Sequence, residues 1–292
     1  MDRDGTFAQV DGEGVAAGAA AADVEPGAAG LVRIVRGGAA CVGSAEGPVR
    51  FGFTERTGGV SQPPYASLNL GTHVEDDPAA VAENRRRALA LLGAEDLQGN
   101  LLVPNQVHGD RVVLAESAEP DALAAVRADI AQGADAVVCT APGVPVLLCF
   151  ADCVPVVLVA GDAFAVAHSG WKGTYARIAG KTARALAEAS GADPASIHAY
   201  IGPHILGDEY EVSEELIERF EASFGPCCTT SPNPRMLDLS ACIAQALEEV
   251  GVPAGNIHDT QLSTVKLADR FYSYRRERGA CGRHGALAVM LP

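Results

Sequence analysis

Between Val144 and Thr174 the chain reads V-P-V-L-L-C-F-A-D-C-V-P-V-V-L-V-A-G-D-A-F-A-V-A-H-S-G-W-K-G-T, and its apolar runs Val156–Ala160 and Ala163–Ala167 are parted only by Gly161-Asp162. Two apolar runs joined across a Gly-Asp step signal a β-hairpin. A turn closed there sets Ala160 opposite Ala163, Pro155 opposite His168 and Cys153 opposite Gly170. Cys153 and His168 then share a face as diagonal neighbours, about 7–8 Å apart at the backbone. Beyond them, Ser169-Gly170-Trp171-Lys172-Gly173 leads into a helical pattern over Tyr175 to Ala189, ended by Gly191. A helix start beside a thiol and an imidazole suits an anion.

The remaining pattern predicts strands at Leu31 to Arg36, Arg50 to Phe53, Ala136 to Cys139, Val144 to Phe150, His198 to Ile201 and Leu287 to Leu291. Helices are predicted from Asp77-Pro78 to Gly93, near Asp121 to Gln132, and over Glu214 to Phe224 and Leu239 to Val250. The first has an N-cap, a first-turn proline and a closing glycine. Thr54 to His73 is too rich in turn formers for a regular element and reads as a structured loop. Leu101 to Val107 and Arg111 to Leu114 flank H-G-D, which puts His108 at the tip of a second hairpin with Gly109-Asp110 as its turn. Strands and helices alternate irregularly and hairpins outnumber crossovers, so the fold class is α/β (α+β) with mixed sheets, not a doubly wound sheet.

Residues 1 to about 30 are Ala/Gly-rich without a periodic apolar face and read as a disordered tail, leaving 31–292 as one domain. With 48% apolar residues the 292-residue chain can fill a substantial core. No apolar run approaches the ~20 residues of a bilayer span, and the opening M-D-R-D-G-T-F has no basic or apolar leader region. Both point to a cytoplasmic protein, monomer or homodimer, without membrane contact. The net charge of −15 disfavours nucleic acid, because the long-range field repels polyanions. An anionic substrate group must therefore be gripped locally. Eight cysteines without C-x-x-C, two of them the adjacent Cys227 and Cys228, argue against a disulfide framework and a zinc ribbon.

Gly180-Lys181-Thr182 is no P-loop, since Tyr175 stands where a glycine is needed and the triplet falls inside a helix. G-x-S-x-G and H-E-x-x-H are absent. What remains is Cys153, His168 and, from another tip, His108. Two histidines and one cysteine admit three chemistries: zinc with a fourth position open, a Cys-His nucleophile pair, or a blue-copper centre. Copper comes last, because the only methionines, Met1, Met236 and Met290, are far from the hairpin in sequence. His73, His198, His204, His258 and His284 have no partner at recognisable spacing, with His204 after Gly202-Pro203 the nearest to an exception. Arg85, Arg86 and Arg87 read as a solvated helix face. Arg275 and Arg276, beside the aromatics of F-Y-S-Y-R-R, read as a solvated face or as an anion or base-stacking clamp.

N-Q-V-H-G, A-D-C-V-P-V, A-H-S-G-W-K-G, S-Y-R-R and P-Y-A-S-L-N-L-G together make the chain resemble the bacterial YfiH family, over roughly residues 31–292. Its members have been labelled polyphenol oxidase, peptidoglycan editing factor and purine nucleoside phosphorylase. The resemblance implies an α/β fold like that of a bacterial toxin deamidase domain and a zinc held by His108, Cys153 and His168. It also implies phosphate-dependent cleavage of adenosine, inosine, guanosine and 5′-methylthioadenosine, and deamination of adenosine. Ser169 and Lys172 replace a commoner Ala and Arg; lysine keeps the charge without the bidentate fork. On this reading Lys172, Arg56, Arg85 and Asn69 are candidate substrate partners for nucleoside and phosphate, and Asp152 a candidate to orient a ligand or move a proton. The rivals are a Cys153 hydrolase, assisted by His108 or His168, that cuts an amide in a muramyl-amino acid wall precursor, and a protein whose zinc only staples the sheet.

Overall fold

The structure is a computed structural model and describes residues 9–11, 30–229 and 235–292. In chain order its strands are β1 (Gln9–Asp11), β2 (Val32–Arg36), β3 (Ala39–Ser44), β4 (Val49–Thr54), β5 (Val112–Ala115), β6 (Ala136–Cys139), β7 (Val146–Phe150), β8 (Val154–Ala160), β9 (Ala163–Ser169), β10 (His198–Ile201), β11 (Ile257–Asp259) and β12 (His284–Met290). Its α-helices are α1 (Pro78–Leu91), α2 (Pro120–Ile130), α3 (Trp171–Tyr175), α4 (Ile178–Ser190), α5 (Glu214–Phe224) and α6 (Leu239–Glu248). Of the segment read as a tail, Gln9–Asp11 forms β1, parallel to β2, and the rest of 1–29 lies outside the described residues.

Two six-stranded mixed sheets run β1-β2-β3-β4-β12-β7 and β11-β10-β8-β9-β6-β5. Strand alternation assigns each residue to a layer. Along β8 and β9, Val157, Phe164 and Val166 face inward and meet Phe51, Phe53, Leu148, Phe150 and Ala288 of the other sheet. Val156, Leu158 and Ala165 face outward under Ile178, Ala183 and Leu186 of α4 and Ile243 and Leu247 of α6. The far face of the first sheet packs Cys41, Leu147 and Val289 under Leu89 and Leu92 at the end of α1. The result is a helix–sheet–sheet–helix sandwich, stabilised mainly by apolar area removed from water at three interfaces.

The central hairpin has the register expected: Ala160 pairs with Ala163, Pro155 with His168 and Val154 with Ser169. The second expected hairpin is absent. Leu101 to Val107 is not a strand; only Leu102 bridges Val146, and β5 runs parallel to β6. The stretch instead ties itself to strand β7 through Gln106, whose side-chain amide donates to the Cys149 carbonyl and accepts from the Cys149 N–H, both at 2.8 Å. The helix expected from Tyr175 is also interrupted, because Arg177 takes a left-handed φ of 59° between α3 and α4. The expected anion-suited helix start therefore belongs to the five-residue α3.

Candidate metal centre and its cavity

Three strand ends of the second sheet meet at one mouth of the inter-sheet layer. Cys153 precedes β8, His168 is near the end of β9, and both lie on the inward face with Val157 and Val166. The β6–β9 register pairs Ala136 with Ala167, so Asp135 stands directly opposite His168, and the His168 N–H donates to the Asp135 carbonyl at 2.7 Å. The Asp135 carboxylate is fully buried. It accepts from His168 Nδ1 at 2.8 Å and from the backbone N–H groups of Val107, His108 and Gly109 at 3.2, 2.9 and 2.7 Å. One carboxylate thus orients the His168 ring and carries the loop that presents His108, which sits at a left-handed φ of 58°.

The donor atoms of His108, Cys153 and His168 all lie within 4.8 Å of one another, and the two imidazole rings meet edge to face at 4.8 Å. His108 is exposed, Cys153 half-buried and His168 3% exposed. The group is supported from below and open on one side. Gly170 is required by this closeness: a Cβ there would meet His108 Cδ2 at 2.9 Å and Cys153 Sγ at 3.2 Å. Gly173 likewise admits the Gly109 carbonyl, 2.9 Å from where its Cβ would be.

Burial pushes the Cys153 thiol up, but the charge of His168 and hydrogen bonds from both histidines outweigh it and bring the thiol below its ordinary value. Burial pushes His168 down, and the facing Cys153 sulfur and Asp135 outweigh that, raising it. Asp135 is held low by His168 and the loop amides despite burial. Such a group has a thiol that gives up its proton readily beside two imidazoles, a soft donor set. With Nδ1 engaged by a carboxylate, His168 has Nε2 left for a metal, the usual second-sphere arrangement of a ligand histidine. The residues therefore fit a cation such as zinc. Met236 and Met290 are not among the cavity-lining residues, so among the described residues no methionine supplies the axial contact of a blue-copper site there.

The centre opens into a cavity of about 900 Å³. Trp171, Tyr210 and Tyr274 give it an aromatic side, with Tyr274 56% exposed at the rim, while Arg85 and Arg283, with the His73 imidazole, give it a cationic one. Asp152 borders it at φ 87°, but its carboxylate accepts from Thr264 Oγ1 and from the Arg275 N–H, both at 2.7 Å. It fastens the segment that carries Tyr274 and Arg275. Arg275 lies over Tyr210, 5.3 Å from the ring centre, while Arg276 donates to the Val265 carbonyl.

The other sequence candidates divide. Arg85 lines the cavity, and its neighbours Arg86 and Arg87 pair with Glu83 on the outer face. Lys172 is exposed and stacks 5.5 Å from the Trp171 ring, outside the lining. Arg56 is also outside the lining; its guanidinium pairs with Glu277, donates to the Ala268 carbonyl and stacks 4.3 Å from Tyr272. Asn69 is buried and bonds Gly71, Asp76 and Arg283. His204 is buried with Nδ1 on the Gly202 carbonyl, and His198 stacks on His258 at the outer strands. The sequence reading missed Asp135, Gln106, His73, Arg283, Tyr210 and the stacking position of Tyr274. Only Asp135 had a signal, its place opposite His168, and that appears once β6 is paired with β9.

Among the described residues, a two-sheet α+β sandwich with a His-Cys-His group set in the mouth of a ligand-sized cavity defines a class of proteins able to hold a metal ion there. A family model described as "Multi-copper polyphenol oxidoreductase laccase" matches residues 50–291. The chain belongs to that family, the YfiH family. It is 40% identical over 243 residues to a "Purine nucleoside phosphorylase" of Deinococcus radiodurans, covering 82% of this chain and 88% of that protein. It is 38% identical to a "Purine nucleoside phosphorylase" of Corynebacterium glutamicum, covering 84% and 95%. Among solved structures it is similar to YlmD of Geobacillus stearothermophilus, with a TM-score of 0.78 at 30% identity over 90% of this chain and 99% of that one. The hypothetical protein YfiH of Bacillus licheniformis gives 0.77 at 30% identity over 87% and 97%.

Proposed function

We propose that this protein is a zinc-dependent purine nucleoside phosphorylase that also deaminates adenosine. The observation that carries the reading is the His108–Cys153–His168 group opening onto a cavity with an aromatic side, supported by relatives that bear the phosphorylase name. In phosphorolysis a phosphate oxygen bonds to the ribose C1′ as the C1′–N9 bond breaks. The bonding pair leaves with the base, which takes up one proton, and the products are free purine and ribose 1-phosphate. When bound, zinc supplies a Lewis-acidic charge that can hold an anionic oxygen or lower the pKa of water.

The chain's own residues do the rest. Asp135 keeps the Nδ1 proton of His168 in place and fixes the His108 loop. Cys153 offers a thiolate. Trp171, Tyr210 and Tyr274 offer flat faces for a purine, and Asp152 is a positioning residue that holds the Tyr274 segment against the cavity. Deamination replaces the purine amine by a water oxygen and releases ammonia. Adenosine entering amine-first toward the group would undergo it. Zinc-loaded protein given inosine should release hypoxanthine only when phosphate is added, and adenosine should yield ammonia. Base release equal with and without phosphate would refute phosphorolysis.

One observation favours a second reading. Cys153, His168 and Asp135 form a continuous thiol–imidazole–carboxylate chain, the arrangement of a cysteine hydrolase acting on an amide. His108 is superfluous to such a chain but required by a metal, so we favour the metal. A Cys153→Ser variant that keeps its zinc but loses turnover would reverse that preference.

A further inference from the structure

The cationic side of the cavity is built with unusual care for a chain of net charge −15. Several arginines elsewhere in this fold are neutralised by a carboxylate: Arg33 and Arg270 by Glu55, Arg56 by Glu277, Arg86 and Arg87 by Glu83. Arg85 and Arg283 are not; among the described residues each donates only to backbone carbonyls and, for Arg283, a thiol sulfur. Arg85 uses Nε and Nη2 on the Leu70 carbonyl at 3.0 and 2.9 Å. Arg283 uses Nη1 on the carbonyls of Cys281 and Gly282 at 2.8 and 3.0 Å. Among the described residues Arg85 Nη1 and Arg283 Nε and Nη2 have no hydrogen-bond acceptor.

His73 joins them. A Cβ on Gly71 would lie 2.9 Å from Arg283 Cγ and 3.2 Å from His73 Cε1, so this glycine lets both side chains close over the same backbone. Asn69 holds the arrangement, its Oδ1 accepting from the N–H groups of Gly71 and Arg283 at 3.1 and 2.8 Å while its Nδ2 donates to Asp76 at 2.8 Å. Burial lowers the His73 pKa, and the charges of Arg283, Arg85, His108 and His168 lower it further. The two guanidinium charges and this imidazole therefore line the same cavity as the metal group.

We propose that Arg85, Arg283 and His73 form a subsite for a tetrahedral oxyanion, inorganic phosphate, held beside the His108–Cys153–His168 group. Two guanidinium groups with unused N–H donors and an imidazole suit an oxyanion that offers acceptors in several directions. Enclosure in a cavity supplies the local grip that a strongly acidic surface denies at long range. Asn69 is then a positioning residue for the subsite. Naming phosphate rests on the phosphorolytic reading; the anion subsite itself does not.

The test uses zinc-loaded wild type, Arg283→Met and His73→Gln. Phosphate binding is measured by titration calorimetry without nucleoside, and KM for phosphate and for inosine from hypoxanthine release. Loss of a charge-assisted contact predicts a 10–100-fold rise in phosphate Kd and KM for Arg283→Met. His73→Gln should raise both several-fold, with zinc content and inosine KM within twofold of wild type, and Arg283→Lys should recover part of the loss. Sulfate should compete with phosphate and acetate should not; the reverse order overturns the tetrahedral assignment. Phosphate Kd within twofold of wild type in both variants overturns the subsite. If wild type releases no base with phosphate while Arg283→Met still loses phosphate binding, phosphorolysis falls and the subsite stands. Should Arg283→Met not fold, His73→Gln and Arg283→Lys decide the question by the same readouts.

Discussion

Replacing Asp135 by asparagine changes one buried oxygen to an amide nitrogen and removes one charge. The carboxylate uses both oxygens: Oδ1 serves His168 Nδ1 and the His108 N–H, Oδ2 the Val107 and Gly109 N–H groups. Whichever way the asparagine turns, its NH2 meets donors. Facing Oδ2's partners it orphans two backbone amides; facing Oδ1's it orphans one and forces His168 to the tautomer whose Nε2 carries the proton and cannot ligate. An orphaned buried donor costs about 1–3 kcal/mol, so Asp135→Asn should lose about 2–5 kcal/mol of stability. For a domain of this size each 1 kcal/mol shifts Tm by roughly 2–4 °C, so calorimetry of metal-stripped protein should show a fall of about 5–15 °C. Zinc affinity, measured by competition with a chromophoric chelator, should drop about 10–100-fold, as for other carboxylates behind a ligand histidine. A variant melting within about 1 °C of wild type and binding zinc within twofold would refute the role given to Asp135.

Cys153→Ser exchanges a soft thiolate for a poor ligand and should abolish zinc retention and turnover together, read by elemental analysis and hypoxanthine release. Gly170→Ala drives a methyl into His108 and Cys153; turnover should fall at least tenfold while the circular dichroism spectrum is kept. His284 is fully buried among Phe150, Phe271 and Tyr272, and burial together with the charges of Arg283 and Arg56 lowers its pKa to about 3. Between that value and the unfolded value of about 6.5 the unfolded chain binds one more proton, so stability contributed by neutral His284 falls by about 1.4 kcal/mol per unit as pH drops through the window. His284→Leu should make the urea-derived stability curve shallower by that slope between pH 6 and 4, and an unchanged slope counts against the assignment. His204→Ala, outside the metal group, should leave zinc content at the wild-type level.

Local pattern was enough for much of the fold and for part of the centre. The Gly161-Asp162 turn set the register of β8 and β9, which alone put Cys153 and His168 on one face. The bounds of β6, β10 and α5 also follow from apolar runs ended by turn formers or by glycine. β3 escaped notice because A-A-C-V-G-S has little β-branched character, and β11 because three residues carry no period. The His108 loop was misread as a hairpin since Gln106 docks it by a side chain that imitates a strand partner, which periodicity does not register. Arg283 and His73 lie 210 residues apart and meet only through Gly71 and Asn69, so no spacing rule brings them together. Arg56 and Lys172 drew interest for their charge, yet charge in a sequence does not tell a guanidinium engaged by Glu277 from one left with free donors.

The most direct test is the metal content of protein purified without added ions, assayed in parallel for phosphate-dependent release of hypoxanthine from inosine. Wild type should carry close to one equivalent of zinc per chain and lose activity as a chelator removes it, with Cys153→Ser both metal-free and inactive. Fully active protein without metal would contradict the account at its centre.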